Sequence, residues 1–97
     1  MTPIVIRPAA AADIDEAFLW YESRLSGLGD EFLGALRAAL LGIAAQPTLH
    51  SVIHRDTRRA LLLRFPYGVF YRLCDDVVVI VACMHGQRDP RQWRSRA

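Results

Sequence analysis

The arginines are the residues of this chain with the most evident capacity for chemistry. All twelve basic residues are arginine, and nine of them follow residue 54. A guanidinium group binds phosphate or carboxylate through two parallel hydrogen bonds, so these arginines could line a groove for an anionic partner. They could instead form a solvated basic surface that pairs with neighbouring aspartates, which is the favoured interpretation for any single arginine except Arg72. Eight of these nine are the candidates, namely Arg58, Arg59, Arg64, Arg72, Arg88, Arg91, Arg94 and Arg96.

Arg72 and His85 differ from the other polar residues of this half. Arg72 lies in a strand-like segment among apolar neighbours, so its charge needs a partner. His85 could act as a general acid or base near neutral pH, but a hydrogen bond to a backbone carbonyl at a strand end is the favoured interpretation. Cys74 and Cys83 show no metal-ligand spacing with the three histidines, so we expect no metal and no cofactor.

Each of the two tryptophans could either bind a partner or have a structural role within the chain. Trp20 lies about 120° from the apolar stripe of its predicted helix. It could anchor a partner or contact the termini of its own chain. Trp93 stands within a basic tail, where it could stack on a base, dock on a protein, or fasten the tail to a sheet.

Composition and charge restrict the class of protein. Residues 1–54 carry three arginines against six carboxylates, whereas residues 55–97 carry nine against four, which favours an anionic partner. Ninety-seven residues form one domain, residues 1–97. The chain has neither the apolar run of about 18 residues that a membrane span needs nor the pattern of a signal peptide. We therefore expect a cytoplasmic protein that does not bind a membrane.

Periodicity predicts a strand and two helices in the first half. The strand is Ile4–Arg7. The first helix runs to about Leu25, and its start resembles a capping box with Asp13 as N-cap and Glu16 reaching back. The second helix begins near Asp30 and ends at a Gln-Pro pair. The short break between them predicts an antiparallel helix hairpin.

The second half predicts a three-stranded antiparallel meander. Its strands are Arg59–Phe65, Val69–Leu73 and Val77–Met84, with turns at Phe65–Gly68 and Asp75-Asp76. The last strand is expected to be central, with the N-terminal strand as its other neighbour. The predicted fold class is therefore α+β: a strand, an antiparallel helix hairpin, then a three-stranded meander, in one mainly antiparallel sheet.

Both faces of this sheet are predicted to be largely apolar. Pairing about the Asp75-Asp76 turn places Leu62, Arg64, Val69, Tyr71, Leu73, Val78, Ile80 and Ala82 on one face. The other face then carries Leu61, Leu63, Phe65, Phe70, Arg72, Val79, Val81 and Cys83. Two helices can cover only one face, so the tail or another chain must cover the second.

Four motifs in the second half occur in a characteristic order. They are the Arg58-Arg59 pair before an apolar strand, the segment Phe65–Arg72, the acidic turn with its valine run, and the segment His85–Pro90 followed by Trp93. With the order of elements, they give a chain that resembles the ParE/RelE superfamily of toxins from type II toxin–antitoxin systems. The resemblance covers nearly all 97 residues.

This resemblance implies one of two activities. RelE-like toxins are ribosome-dependent mRNA endonucleases, whereas ParE-like toxins are gyrase poisons. Gly68 stands where the ribonuclease branch has a catalytic Arg, Leu61 where it has a Lys, and the tail lacks a Tyr. The chain is therefore more similar to the ParE-like branch, which implies inhibition of DNA gyrase by binding, with no catalytic residue.

The resemblance also implies partners and contact residues. The antitoxin would be ParD-like, acidic and partly disordered, folding as it binds; direct nucleic-acid binding stays open. Expected gyrase contacts are Arg58, Arg59, Arg64, Arg72, Arg88, Trp93 and Arg94. Expected antitoxin contacts are Phe18, Trp20, Tyr21, Phe70 and Arg72. One alternative is a RelE-like endonuclease using Arg59, Arg88 and His85, and another is an inactive remnant that serves only as antitoxin partner or co-repressor.

Overall fold

A helix hairpin packed on a five-stranded sheet forms the fold, in a computed structural model that describes residues 1–96. The helices are α1 (Pro8–Arg24), α2 (Leu28–Ala45) and α3 (Pro90–Arg94); the strands are β1 (Ile4–Ile6), β2 (Val52–His54), β3 (Thr57–Leu61), β4 (Tyr67–Cys74) and β5 (Val77–His85). The sheet order is β1-β5-β4-β3-β2, and only β1 pairs in parallel. The predicted fold class is confirmed, and so is the interior position of β5 with β1 as its other neighbour; β2 is an additional strand in the segment between α2 and β3.

Helix α1 begins six residues earlier than the capping-box pattern predicts. Pro8 occupies the first turn, where its missing N–H costs nothing, and four alanines of high helix propensity follow. Asp13 therefore lies inside the helix and is not an N-cap. Its carboxylate instead accepts a hydrogen bond from the backbone N–H of Cys83 at 3.0 Å.

Helix α2 begins at Leu28, two residues before the predicted start. Gly27, with φ of 91°, turns the chain between the helices. The Glu22 carboxylate of α1 accepts from the backbone N–H groups of Gly27 and Gly29 at 3.0–3.1 Å. A side chain from the end of one helix thus caps the start of the next.

The first two strands of the meander differ from their predicted bounds. β3 ends at Leu61, and β4 already begins at Tyr67. Arg64 has φ of 68°, which an extended strand does not tolerate, and Pro66 has no N–H for a ladder. Residues 62–66 form a loop that tucks Phe65 beneath the helix hairpin, where it is buried.

A bulge in β5 changes which side chains share a face. Tyr71 pairs with Ile80 and Phe70 pairs with Ala82, so Val81 has no partner of its own on β4. The Asp75-Asp76 turn is where the sequence predicts it, with both residues at positive φ. Beyond the bulge the alternation reverses: Cys83 lies on the helix face and Ala82 on the other, opposite to the prediction.

Each face of the sheet has its own apolar cluster. The main core lies under the hairpin and contains the stacked rings of Tyr21 and Phe32, 5.4 Å apart. We call the opposite side the second face. Trp93 of α3 covers part of it, stacked on Phe70 at 4.7 Å. The prediction that the tail or another chain covers this face is confirmed for the tail. Within residues 1–96, no helix is long and apolar enough to cross a membrane.

Candidate functional site

Three surfaces of the molecule could receive a partner. The first is a cavity of about 430 Å³ between α1 and the strand ends where β4 begins and β5 finishes. We call it the aromatic pocket. It brings together Trp20 and Tyr21, expected at the antitoxin, with His85 and Arg88, expected in a target or catalytic site. Its lining is Glu16, Trp20, Tyr21, Pro66, Tyr67, His85 and Arg88.

The walls of the aromatic pocket are rings held by mutual contact. Tyr67 lies between Tyr21 at 5.9 Å and His85 at 5.5 Å. Trp20 meets Tyr21 edge-on at 5.0 Å and is 50% exposed, whereas Tyr21 is buried. Burial raises the pKa of Tyr67 above its usual value, and the neighbouring Tyr21 adds to the effect. Trp20 is thus half open to a partner, with the Arg24 guanidinium 4.6 Å from its ring centroid, while Tyr21 chiefly supports the wall.

The polar groups of the aromatic pocket are oriented by local hydrogen bonds. His85 Nδ1 accepts from the backbone N–H of Gln87 at 3.0 Å, which places the ring proton on Nε2. The Arg88 guanidinium donates to Gln92 at 3.0 Å and to Glu16 at 3.4 Å. The pocket therefore presents hydrogen-bond donors beside apolar rings. The predicted carbonyl bond of His85 is replaced by this amide contact.

The second surface is an apolar groove of about 700 Å³ between α2 and β3 with its following loop. Leu61, Leu63 and Leu49 line it and are exposed, Leu63 to 78%. Arg64 pairs with Glu31 at its end, at 3.9 Å. This groove was not predicted from the sequence; small residues at helical spacing on α2 are a sequence signal for one of its walls only. Those residues are Gly34, Ala35, Ala38, Ala39, Gly42 and Ala45.

The third surface is the exposed part of the second face. The aliphatic stem of Arg59 lies across Gly68, where an added Cβ would come within 3.0 Å of it. Arg94 lies over the Trp93 ring at 5.4 Å. Trp93 and Phe70 are themselves buried, so neither is available to a partner while α3 stays in place. Their predicted target and antitoxin contacts are thus not presented by this arrangement.

Arg72 also lies on the second face, and its need for a partner is not met within the described residues. Its Nε is buried without a hydrogen bond, and so is Oγ1 of Thr57 on the neighbouring strand. A buried polar atom without a partner costs free energy. Arg72 is therefore the arginine of this face with most to gain from an acceptor.

Other predicted contact residues have structural roles. Arg58 donates to the carbonyls of Thr48 and His50 at 3.1 and 2.6 Å, which fastens the α2–β2 connector to the sheet. Phe18 is half-buried, and its ring packs against Gly29.

The three residues of the endonuclease alternative do not form one cluster. Arg59 lies on the second face, as its contact with Gly68 shows. The His85 ring packs on Tyr67 on the helix face, and Arg88 reaches Glu16 of α1. The sheet therefore separates the Arg59 side chain from the side chains of His85 and Arg88. No single phosphate could touch all three in this arrangement.

Comparison with known proteins agrees with this architecture. One similar solved structure is the chromosomal ParDE system of P. aeruginosa. One of its chains matches this chain with a TM-score of 0.66 and 16% sequence identity, and the match covers 88% of this chain and 96% of that one. The RelBE2 toxin–antitoxin complex of Mycobacterium tuberculosis contains one with a TM-score of 0.63 at 20% identity, covering 87% and 96%. None of the curated proteins matches significantly. A family model described as the ParE toxin of the type II toxin–antitoxin system parDE matches residues 4–90. This chain belongs to the ParE toxin family of type II toxin–antitoxin systems.

Proposed function

We propose that this protein is a ParE-like toxin that inhibits DNA gyrase by binding and that a ParD-like antitoxin neutralises it. The observation that carries the proposal is the separation of Arg59 from His85 and Arg88 by the sheet. Phosphoryl-transfer chemistry on RNA needs a base, an acid and cations at one phosphate. Such a division supports recognition by surfaces over catalysis at a point.

The second face with α3 is the proposed gyrase contact. Arg59 and Arg94 are exposed there, and Arg72 holds a buried Nε without a partner. These three cations belong to the half of the chain that carries an excess of positive charge. An acidic protein surface would supply carboxylates that bind guanidinium groups in pairs. Arg58 and Arg64 are engaged elsewhere and are not needed for this contact.

The apolar groove is the proposed docking surface for the antitoxin. Its small α2 residues allow close approach of another backbone, and its exposed leucines supply apolar area. An amphipathic segment that is disordered when free would gain its structure here.

A supercoiling assay tests the gyrase proposal. Purified toxin, freed of antitoxin, should inhibit gyrase supercoiling of a plasmid in a concentration-dependent way. Arg59→Gln and Arg94→Gln should each raise the half-inhibitory concentration by about tenfold, since each removes a charged hydrogen-bond donor. Arg37→Gln is the matched control, because Arg37 is exposed on α2, which packs on the opposite face of the sheet. This variant should change the half-inhibitory concentration less than about twofold.

The same preparation separates the alternatives. Unaffected supercoiling together with mRNA cut on translating ribosomes would overturn the proposal in favour of the endonuclease. If the toxin affected neither process but still bound its antitoxin, the inactive-remnant alternative would stand. Growth arrest with an SOS response and intact message, after induction in bacteria, would support gyrase as the target.

A further inference from the structure

The aromatic pocket carries more hydrogen-bond donors than the protein uses. Among residues 1–96, neither the Tyr67 hydroxyl nor His85 Nε2 makes a hydrogen bond. Both residues line the pocket together with Arg88, whose guanidinium already donates to Gln92 and Glu16. Three donor side chains around one cavity favour an anionic acceptor.

The rest of the lining is apolar. Trp20, Tyr21 and Pro66 provide it, and half of the Trp20 surface faces solvent. Removing such ring surface from water stabilises a complex, and an indole ring is a frequent anchor at interfaces. A ligand of this pocket therefore combines an anionic group with an adjoining apolar group.

Glu16 shows how a carboxylate reaches the rim of the pocket. Its side chain is 74% exposed and accepts from Arg88 at 3.4 Å, a long and solvated contact. A carboxylate from a partner, placed deeper beside His85 Nε2, would make shorter bonds in a less hydrated site. Glu16 would then release Arg88 at little cost.

We propose that the aromatic pocket binds an acidic side chain of the antitoxin and the apolar residue next to it. The inference rests on the antitoxin partnership proposed above, and it moves Arg88 from the gyrase contact to the antitoxin contact. It also gives Trp20 a specific part in that interface. The pocket is a second attachment point, distinct in its lining from the apolar groove.

The surroundings favour a peptide over a nucleic acid. Helix α1, which forms one side of the pocket, carries the exposed carboxylates of Asp15 and Glu16. Such a surface repels a polyphosphate backbone, whereas a single carboxylate needs only the local donors. A cavity of about 430 Å³ also suits a pair of side chains.

Binding of the antitoxin to toxin variants tests the inference. The antitoxin is supplied as the product of the reading frame adjacent to the toxin gene, and its Kd is measured by calorimetry with full-length chains. Arg88→Gln and Trp20→Ala should each raise the Kd by about tenfold or more. Arg55→Gln is the matched control, because Arg55 is exposed in the turn between β2 and β3, and it should leave the Kd within about twofold.

The indole N–H signal of Trp20 gives an independent readout. In spectra of the ¹⁵N-labelled toxin, antitoxin should shift the indole N–H signal of Trp20. The Arg88→Gln variant should show a smaller shift at equal saturation. Circular dichroism of each variant confirms that it is folded, so loss of binding is not loss of structure.

The outcomes separate this inference from the proposed function. If wild-type toxin does not bind the adjacent gene product at all, the antitoxin proposal fails. If the antitoxin binds wild-type toxin and both pocket variants with equal Kd, the inference about the pocket is wrong while the antitoxin proposal stands. If a short single-stranded RNA shifts the Trp20 indole and the antitoxin does not, the pocket is a nucleotide site and the inference is overturned.

Discussion

The contact between Asp13 and Arg96 ties the C-terminal end of the chain to α1, and Asp13→Ala tests it. Two nitrogens of the Arg96 guanidinium donate to the two carboxylate oxygens at 2.6 and 3.2 Å. The same carboxylate accepts from the Cys83 N–H, and Arg96 donates to the Val81 carbonyl at 3.2 Å. These bonds satisfy backbone groups beside the β5 bulge, beyond the point where β1 leaves the sheet.

The cost of Asp13→Ala follows from what it leaves behind. A buried N–H without an acceptor at Cys83 costs about 1–3 kcal/mol. Loss of the ion pair adds about 1 kcal/mol, at the upper end for exposed pairs, because the Arg96 side chain is 28% exposed and Asp13 is 13% exposed. We expect a total of about 2–4 kcal/mol, which lowers Tm by roughly 10–20 °C in a domain of this size. Arg96→Gln should cost about 1 kcal/mol, since the carboxylate still accepts from Cys83.

Urea unfolding of the single and double variants measures these costs. Asp15→Ala is the control, because Asp15 is exposed two residues along the same helix, and it should change stability by no more than about 0.5 kcal/mol. The double-mutant cycle should give a coupling of about 1 kcal/mol between Asp13 and Arg96. If Asp13 acted as a local helix cap, its loss would cost about 1 kcal/mol with no coupling to Arg96. Zero coupling would therefore refute the tertiary contact.

Three further predictions concern the glycines Gly29 and Gly42 and the relative reactivity of the two cysteines. Gly29→Ala should destabilise by about 1–3 kcal/mol, because its Cβ would lie 2.6 Å from Cε2 of Phe18. Gly42→Ala, which meets open space, should stabilise by about 0.4–1 kcal/mol, and urea unfolding of both variants must show opposite signs. Burial, with Asp13 nearby, raises the pKa of the Cys83 thiol to about 12, so iodoacetamide at pH 8 should label half-buried Cys74 and spare Cys83. Mass spectrometry of the native protein that found both thiols labelled at one rate would contradict this.

Local sequence signals predict the class of this fold because its elements carry them strongly. The helical spacing of Phe32, Leu36 and Ile43 gives α2, and the two aspartates at positive φ give the β4–β5 hairpin. The start of α1 was missed because two patterns competed. The capping box at Asp13 is genuine in form, but Pro8 and the alanines after it extend the helix, and the carboxylate serves a distant strand.

The parts of the candidate site that depend on a single residue and its local neighbours could be predicted from the sequence. The surfaces that form only when separate elements pack together could not. An exposed Trp20 follows from helical periodicity, and a partner requirement for Arg72 follows from its apolar neighbours. The apolar groove depends on how closely α2 approaches the edge of β3, which no local pattern states. The aromatic pocket joins residues from α1, β4 and the end of β5, and so depends on tertiary packing.

The bulge at Val81 decides which chemistry the sheet can support. In a regular hairpin centred on the Asp75-Asp76 turn, His85 would lie on the same face as Arg59. A side chain capable of acid–base chemistry and an arginine capable of binding phosphate would then share one face of the sheet. The extra residue reverses the alternation and turns His85 toward Tyr67 on the helix face. Removal of Val81 would restore regular alternation, but it would also displace the Cys83 N–H from the Asp13 carboxylate. The bulge that brings the Cys83 N–H to the Asp13 carboxylate therefore also keeps His85 on the opposite face of the sheet from Arg59, an arrangement that supports the binding function proposed above.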